Sequence, residues 1–338
     1  MDKYLVRLPR PSLELVAIPA PTPRTGFAAP TVVELFAGAG GMALGLEAAG
    51  FEHVAMIERD LEAVRTLRRN GYGKIAKRAD ARHVDFKEWM GVDLVAGGPP
   101  CQPFSVGGVD GGEDDPRDGW PTAARAVSEI RPRAFVFENV AGLARDKFSA
   151  YLASVVKRFS SLGYTVSVHA VDAADYGVPQ HRKRLFIVGF RDEACTFAKP
   201  LPTTRHCHVT VGDMLTSLGP PNGQNGHVQH KAKPRSYPGH TGSTVNKPAK
   251  TLIAGCNGPS GGSTMVTLPD GTQRYFTLRE QARLQSFPDH YKLHAVWSHG
   301  TKQIGNACPV LLAKAFGCAI LAALKREPPP DDSDYEEW

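Results

Sequence analysis

Residues 31–49 read TVVELFAGAGGMALGLEAA and decide the fold. A β-branched run at 32–35 is followed by Phe36-Ala37-Gly38-Ala39-Gly40-Gly41 and then by an amphipathic run at 42–49. This order predicts a strand, a tight glycine turn and a helix, which together open a βαβ unit.

The same alternation continues along the chain. Further predicted strands lie at 54–57, 94–96, 134–137, 165–169 and 185–188, with helical patterns such as 61–69 between several of them. Short apolar strands separated by helices are typical of a doubly wound α/β fold with a mostly parallel sheet. We therefore expect this architecture for the main domain.

Composition divides the rest of the chain. Residues 194–242 hold six prolines and six glycines but only one acid, Asp213, which predicts a small, irregular second domain. Helical patterns resume at 277–286 and 307–325. The expected segments are a proline-rich N-terminal extension (1–30), a main domain (31–192), a small domain (193–275), a return to the main domain (276–326) and an acidic, disordered tail (327–338).

Charge and cysteine content favour a cytoplasmic protein with a polyanionic partner. The net charge is +6, and removing the six negative charges of residues 327–338 leaves +12 on the body. Six scattered cysteines without a C-x-x-C pair indicate free thiols, and the spacing of Cys195, His206, Cys207 and His208 does not predict a zinc site. We expect no metal, no membrane segment and no export signal.

The glycine turn predicts a nucleotide-like cofactor without choosing one. Gly38 and Gly40 fit a nicotinamide cofactor, S-adenosylmethionine or a purely structural turn equally well. Glu58 ends the second strand, where a carboxylate can accept both hydroxyls of a ribose. Asp80 follows the basic stretch 74–78 and could contact an adenine amino group or simply cap a helix.

A cysteine follows the strand at 94–96. Pro99 and Pro100 stiffen the approach to Cys101, and a glycine-rich segment at 106–119 comes after it. Ligands of open α/β sheets bind at the carboxyl ends of strands, so this arrangement suits a nucleophile, although most cysteines are inert and buried.

Two further strand ends carry charged side chains. Glu138 follows the apolar strand at 134–137 and could act as a general acid, or form a structural salt bridge. Arg182 and Arg184 precede the strand at 185–188, and strand alternation predicts that both point to one face. Two guanidinium groups on one face suit a phosphate or a base carbonyl oxygen.

These motifs together resemble the cytosine-C5 DNA methyltransferases, in the bacterial restriction-modification form. The resemblance rests on ordered segments spanning roughly residues 31–320: FAGAG at 36–40, PPCQ at 99–102, ENV at 138–140, QHRKR at 180–184, TLREQARLQSFP at 277–288 and QIGN at 303–306. It implies an S-adenosylmethionine-dependent, Rossmann-like catalytic domain with a target-recognition domain whose variable part is about 194–245.

The resemblance also implies roles for individual residues. Cys101 would add to carbon 6 of cytosine, Glu138 would contact ring nitrogen 3, Asn139 would order the loop around the cysteine, and Arg182 and Arg184 would hold the base. Residues on the cofactor side would be Phe36, Gly38, Gly40, Glu58, Asp80, Pro100 and Asn306. Double-stranded DNA would be the partner, with the cytosine flipped out of the helix.

DNA contacts are expected from Arg117, Lys231, Lys233 and Arg235, chiefly as phosphate anchors. The expected enzyme is a cytoplasmic, nucleoid-associated monomer, with a restriction endonuclease, where present, acting independently. A tRNA-methylating relative and a non-catalytic DNA-binding relative are the alternatives. A nicotinamide oxidoreductase would leave the PPCQ and QHRKR segments without a role.

Overall fold

The computed structural model describes residues 29–100, 118–234, 241–254 and 262–327. Strands are β1 Thr31–Leu35, β2 Glu52–Glu58, β3 Ala76–Arg78, β4 Leu94–Gly97, β5 Ala134–Val140, β6 Thr165–Asp172, β7 Lys183–Phe190, β8 Ser243–Thr244, β9 Met265–Thr267 and β10 Gln273–Tyr275. Helices are α1 Gly41–Ala49, α2 Leu61–Leu67, α3 Trp120–Ile130, α4 Ser149–Ser160, α5 Val211–Leu218, α6 Leu278–Leu284, α7 Trp297–Asn306 and α8 Val310–Leu324.

Seven strands form the main sheet in the order β3-β2-β1-β4-β5-β7-β6. Neighbours from β3 to β5 pair in parallel, whereas β7 runs antiparallel to both β5 and β6. This confirms the mostly parallel α/β architecture. A separate three-stranded sheet, β10-β9-β8, lies within residues 193–275, after the irregular stretch 194–242.

The directions of the strands place several charged strand-end residues at one edge of the sheet. The carboxyl ends of β1, β2, β4 and β5 lie there because these strands are parallel and adjacent. The antiparallel strand β7 brings its beginning to the same edge, with Arg184 opposite Val140. Glu58, Glu138 and Arg184 therefore lie at one edge, with Arg184 the second residue of β7 and Arg182 just before that strand.

Apolar side chains cover both faces of the sheet. On one face α8 packs against α1 through a cluster that includes Leu46, Phe316 and Ile320. The other face carries α3 and α4, where the Phe135 and Phe159 rings lie 4.4 Å apart beside the fully buried Trp120. Burial of large aromatic rings of this kind dominates core energetics, so the sheet is a rigid support for its edge.

The stretch Trp297–Leu324 has the length and composition of a membrane span, but 61% of its most apolar window is buried inside the protein. It consists of α7 and α8, which are separated by Pro309. Its apolar face covers α1, so its hydropathy is that of a core helix pair.

A polar network joins β1, α1 and β2 through largely buried side chains. Nε2 of His53 lies 3.0 Å from Oε2 of Glu34, and Nδ1 lies 3.5 Å from Oε1 of Glu47, whose Oε2 accepts a 2.8 Å hydrogen bond from Tyr72. Burial by itself lowers the pKa of His53, but the contacts with Glu34 and Glu47 outweigh it and raise the pKa to about 9.

The raised pKa of His53 predicts a pH-dependent stability. A histidine that holds its proton more tightly in the folded state stabilises fully below its unfolded pKa of about 6.5, and this stabilisation is lost as pH rises through about 9. We expect the free energy of unfolding in urea to fall by about 3 kcal/mol across this window. His53→Gln should remove most of that slope, and a wild-type profile that is flat from pH 6.5 to 9.5 would contradict the assignment.

Candidate active site

The glycine turn after β1 adopts a left-handed backbone at three positions. Phe36, Gly38 and Gly40 have φ values of 56°, 54° and 81°. A Cβ at Gly40 would lie 2.8 Å from the Tyr291 hydroxyl, whereas a Cβ at Gly38 would meet no atom within 4 Å. Gly40 is thus required by packing, while the backbone at Gly38 faces open space that a ligand can occupy.

Glu58 holds this turn in place. Its Oε2 accepts a 2.8 Å hydrogen bond from the Gly38 amide, and its Oε1 accepts one of 2.7 Å from the Asp60 amide. A carboxylate has about four acceptor sites, so two remain available to hydroxyl groups of a ligand. The geometry is compatible with the predicted ribose contact.

Asp80 takes the alternative role that the sequence left open. It caps the short 3₁₀ helix Ala81–His83, where its Oδ1 accepts a 3.0 Å hydrogen bond from the Arg82 amide, and its Oδ2 lies 2.5 Å from Nη2 of Arg82. This side-chain contact with Arg82 holds the pKa of Asp80 well below its usual range. An adenine amino group would have to compete with Arg82 for the carboxylate.

The Pro99–Pro100 turn is held from two sides. Asn139 donates a 3.0 Å hydrogen bond from Nδ2 to the Pro99 carbonyl, and its Oδ1 accepts one of 2.8 Å from the Val140 amide. On the other side, the Gly119 amide donates to the Pro100 carbonyl at 3.2 Å. Asn139 therefore orders the residues leading to the predicted nucleophile. Cys101 and Arg117 lie outside the described residues.

Glu138 and Arg184 form an ion pair on adjacent strands. Nε of Arg184 lies 2.5 Å from Oε1 of Glu138, and the two side chains are only 10% and 11% exposed. The sequence argument counted only apolar neighbours for Glu138, but the structure places a guanidinium beside it, as the salt-bridge alternative required. The other carboxylate oxygen, Oε2, lies 3.5 Å from the position a Cβ would take at Gly98.

Arg182 does not lie where a base-holding residue is expected. Its side chain is buried, with Nη1 donating to the Leu252 carbonyl at 2.9 Å and Nη2 donating to the Gly305 and Ala307 carbonyls at 2.6 and 3.1 Å. Burial lowers its pKa to about 9. The prediction that Arg182 and Arg184 both hold the base needs correction, because backbone carbonyls already occupy the Nη groups of Arg182.

Asn306 ends α7 beside the glycine turn and is exposed to solvent. The neighbouring Ala307 and Cys308 press against the start of α1, since a Cβ at Gly41 would lie 2.3 Å from the Cys308 carbonyl oxygen. The predicted proximity of Asn306 to the cofactor turn is thereby explained. Gly38 and its partner Glu58 leave an open, polar position at the turn, and Asn306 lies two residues before the Cys308 carbonyl that packs on α1.

Lys231 and Lys233 are exposed, whereas Arg235 lies outside the described residues. The preceding His230 packs 4.8 Å from the Trp297 ring and 5.2 Å from the Tyr275 ring. This contact fixes the start of the lysine segment against β10 and α7. The sequence analysis did not identify this aromatic cluster, because its members are far apart in the chain.

A metal centre is not supported by the described ranges. Within them, no group of three or more histidine, cysteine or acidic side chains could hold a metal ion. His208 instead contacts Asp175, with 2.8 Å between Nε2 and Oδ1.

The sequence alone does not indicate the structural role of Tyr291 at the glycine turn. Its hydroxyl donates a 2.7 Å hydrogen bond to the Ala39 carbonyl inside the glycine turn, and its side chain is buried. Only the fold brings this residue to a turn about 250 positions earlier in the chain.

Tyr291→Phe should weaken cofactor binding while leaving the fold intact. Losing one buried hydrogen bond to the glycine turn should raise the dissociation constant for S-adenosylmethionine about fivefold in isothermal titration calorimetry. Tyr164→Phe is the matched control, because the Tyr164 hydroxyl donates a 2.8 Å hydrogen bond to the Pro132 carbonyl, outside the cofactor cradle. Equal effects of the two substitutions would show that Tyr291 has no specific role in the turn.

Comparison with known proteins agrees with this geometry. The family model for C-5 cytosine-specific DNA methylases matches residues 30–232 and 222–322. The chain belongs to this family. The glycine turn therefore belongs to a DNA methylase, and the nicotinamide alternative is excluded.

Curated relatives cover nearly the whole chain. Type II methyltransferase M.NgoMIV of Neisseria gonorrhoeae is 37% identical over 311 residues, covering 88% of this chain and 99% of the relative. Type II methyltransferase M.AplI of Arthrospira platensis is 36% identical over 320 residues, covering 88% of this chain and 87% of the relative. This C-5 cytosine DNA methylase is therefore an enzyme of the same kind, which methylates cytosine in DNA sequence-specifically.

Solved structures share the fold. A putative DNA modification methyltransferase encoded within an E. coli prophage superposes with a TM-score of 0.68 at 24% identity, covering 87% of this chain and 99% of the other. Spodoptera frugiperda DNMT2 superposes with a TM-score of 0.65 at 16% identity, covering 86% of this chain and 99% of the other. The family and the fold imply S-adenosylmethionine as methyl donor.

Proposed function

We propose that this enzyme methylates carbon 5 of a cytosine flipped out of double-stranded DNA, within one sequence context, with Cys101 as nucleophile. The observation that carries the proposal is the position of the Arg184–Glu138 ion pair beside the Pro99–Pro100 turn, which is held by Asn139. Both lie at the sheet edge that also holds the glycine turn.

The proposed reaction uses these residues together with Cys101. The Cys101 thiolate adds to carbon 6 of the base, and the electrons of the 5,6 double bond make carbon 5 nucleophilic. Glu138 contacts ring nitrogen 3, where charge develops, and Arg184 orients that carboxylate and the base carbonyl oxygen. Carbon 5 takes the electrophilic methyl group that bound S-adenosylmethionine would supply, and the carbon–sulfur bond breaks to leave neutral S-adenosylhomocysteine. Loss of the proton from carbon 5 then restores the double bond and expels Cys101.

Cofactor binding is proposed to depend mainly on the cradle around Gly38. The carboxylate of Glu58 would accept the ribose hydroxyls, Asn306 would contact the cofactor from α7, and Phe36 and Gly40 shape the turn. Pro100 would pack against the base and the cofactor's reactive end. Asp80 contributes least, since Arg82 already binds its carboxylate.

DNA binding is proposed to combine base recognition by residues of 194–245 with phosphate contacts from Lys231, Lys233, Arg235 and Arg117. The short recognition region favours a single target site. We further propose a monomer that works in the cytoplasm on chromosomal DNA, independently of any cognate restriction endonuclease.

Bisulfite sequencing of plasmid DNA from cells expressing the enzyme tests the proposal, with an empty-vector plasmid as control. We expect cytosines in one sequence context to resist conversion. Complete conversion at every context, by a soluble protein that binds S-adenosylmethionine, would overturn the DNA assignment. Bisulfite sequencing of tRNA from the same cells would then test the RNA alternative.

A further inference from the structure

A set of buried amide and guanidinium groups joins three segments that are distant in the sequence. Gln180, Arg182 and Gln285 have exposures of 0%, 2% and 0%. Their partners are mostly backbone atoms of three other segments: 251–254, which follows the predicted recognition region, 284–285 at the end of α6, and 304–307 around Asn306. We call these three side chains the buried polar hub.

Gln180 holds the segment 251–254 against the residues before β7. Its Oε1 accepts a 2.8 Å hydrogen bond from the Leu252 amide, while its Nε2 donates to the Leu284 carbonyl at 2.8 Å. The Thr251 hydroxyl donates to the His181 carbonyl at 2.6 Å. Residues 251 and 252 are thus fixed to the same short stretch that leads into Arg184 and its ion pair with Glu138.

Arg182 occupies the centre of the hub. One Nη group binds the Leu252 carbonyl, and the other binds the carbonyls on either side of Asn306, those of Gly305 and Ala307. Gln285 reinforces the second contact by donating to the Ile304 carbonyl at 2.8 Å. A planar guanidinium has a fixed fork of donors, so it sets the distance between the carbonyls that it bridges.

The two bridged segments also touch directly. A Cβ at Gly305 would lie 2.7 Å from the Ala254 amide nitrogen and 3.0 Å from the Ile253 carbonyl carbon. Such distances leave no room for a side chain. The turn that presents Asn306 and the segment 251–254 therefore form one packed unit, with Arg182 as its internal brace.

We propose that Arg182 is a positioning residue that sets the Asn306 turn and the segment 251–254 in one geometry, coupling the cofactor cradle to the end of the recognition region. The coupling to DNA rests on the proposed function. Loss of the brace should weaken cofactor binding and also reduce the effect of cofactor on DNA affinity, because coupling between two sites is reciprocal. A base-holding Arg182 would instead affect methyl transfer alone.

The test compares Arg182→Gln with Arg283→Gln. Arg283 is the control, because it is 5% exposed and also donates to a backbone carbonyl, that of Met214, while its other partners are the Ser217 hydroxyl and the Asp289 carboxylate rather than the segments that Arg182 joins. Without DNA, we expect the dissociation constant for S-adenosylmethionine to rise about tenfold in Arg182→Gln and less than about twofold in Arg283→Gln. Arg182→Lys should recover only part of the loss, since an ammonium group cannot bridge the carbonyls in the same way.

The second measurement is DNA affinity with and without S-adenosylhomocysteine, on a duplex with the methylated context. The ratio of the two affinities should approach one in Arg182→Gln. If Arg182→Gln does not fold, Gly305→Ala should reproduce both effects, because it forces the same segments apart. Wild-type cofactor affinity and coupling in a folded Arg182→Gln that has lost methyl transfer would overturn the proposal. If the wild-type enzyme fails to methylate DNA, the cofactor measurement still tests Arg182.

Discussion

Cys101→Ser should reduce methyl transfer by about 10⁴-fold or more, because a serine hydroxyl is a far weaker nucleophile toward carbon 6 than a thiolate. The proposed cofactor contacts come from the turn after β1, from the end of β2 and from the end of α7, so the dissociation constant for S-adenosylmethionine should stay within about twofold of the wild type. Single-turnover transfer of a labelled methyl group to a duplex with the target context measures the first quantity, and calorimetry measures the second.

Measuring both methyl transfer and cofactor binding distinguishes a loss of chemistry from a loss of folding. Loss of methyl transfer together with loss of cofactor binding would mean that Cys101 supports the structure. A rate within about tenfold of the wild type would mean that another group attacks the base, since removal of a nucleophile usually costs orders of magnitude more.

Glu138→Gln should lower the single-turnover rate by about 10² to 10⁴-fold, the range usually lost with a general acid or base. It removes the negative charge facing Arg184 without changing the shape of the side chain. Because the pair is nearly buried, leaving Arg184 without its partner should also cost about 3 kcal/mol in the free energy of unfolding. Rates at saturating cofactor and DNA, with urea unfolding of the same samples, measure both effects.

A second ion pair supplies the control. Glu280 is fully buried and pairs with Arg274 at 2.7 Å, away from the sheet edge. Glu280→Gln should therefore lose comparable stability while its folded fraction keeps methyl transfer. The double variant Glu138→Gln, Arg184→Met should regain part of the stability but not the rate. If Glu138→Gln loses stability and retains its rate, Glu138 is a structural salt-bridge partner only.

The main sheet could be predicted because each strand of it but one is a short β-branched or apolar run. The exception is β3, Ala76–Arg78, where only the alanine is buried and the sequence is basic. Helix α7 was missed for a similar reason, because Trp297–Asn306 is rich in polar residues and glycine and its buried side depends on contacts with α6. A local hydrophobic pattern predicts a helix or strand only where the residues that form the pattern are also the ones that become buried.

The site residues divide in the same way. The turn conformation of Gly38 and Gly40 and the place of Glu58 at the end of β2 could be predicted, because both depend on local sequence pattern. The roles of Arg182 and Tyr291 could not, because both bind backbone carbonyls that are distant in the sequence. Strand alternation placed Arg182 and Arg184 on one side, but the direction of β7 and the position of the Asn306 turn decide what each side chain meets.

In the proposed mechanism, Cys101 bonds to carbon 6 of a target cytosine and leaves only when carbon 5 loses its proton. The most direct measurement uses duplex DNA whose target cytosine carries fluorine at carbon 5, incubated with the enzyme and S-adenosylmethionine. Fluorine cannot leave as a proton does, so we expect a complex stable to denaturant, with the modified base mapped to Cys101 by mass spectrometry. Methylation of the unmodified duplex without any such adduct, or an adduct on another residue, would contradict it.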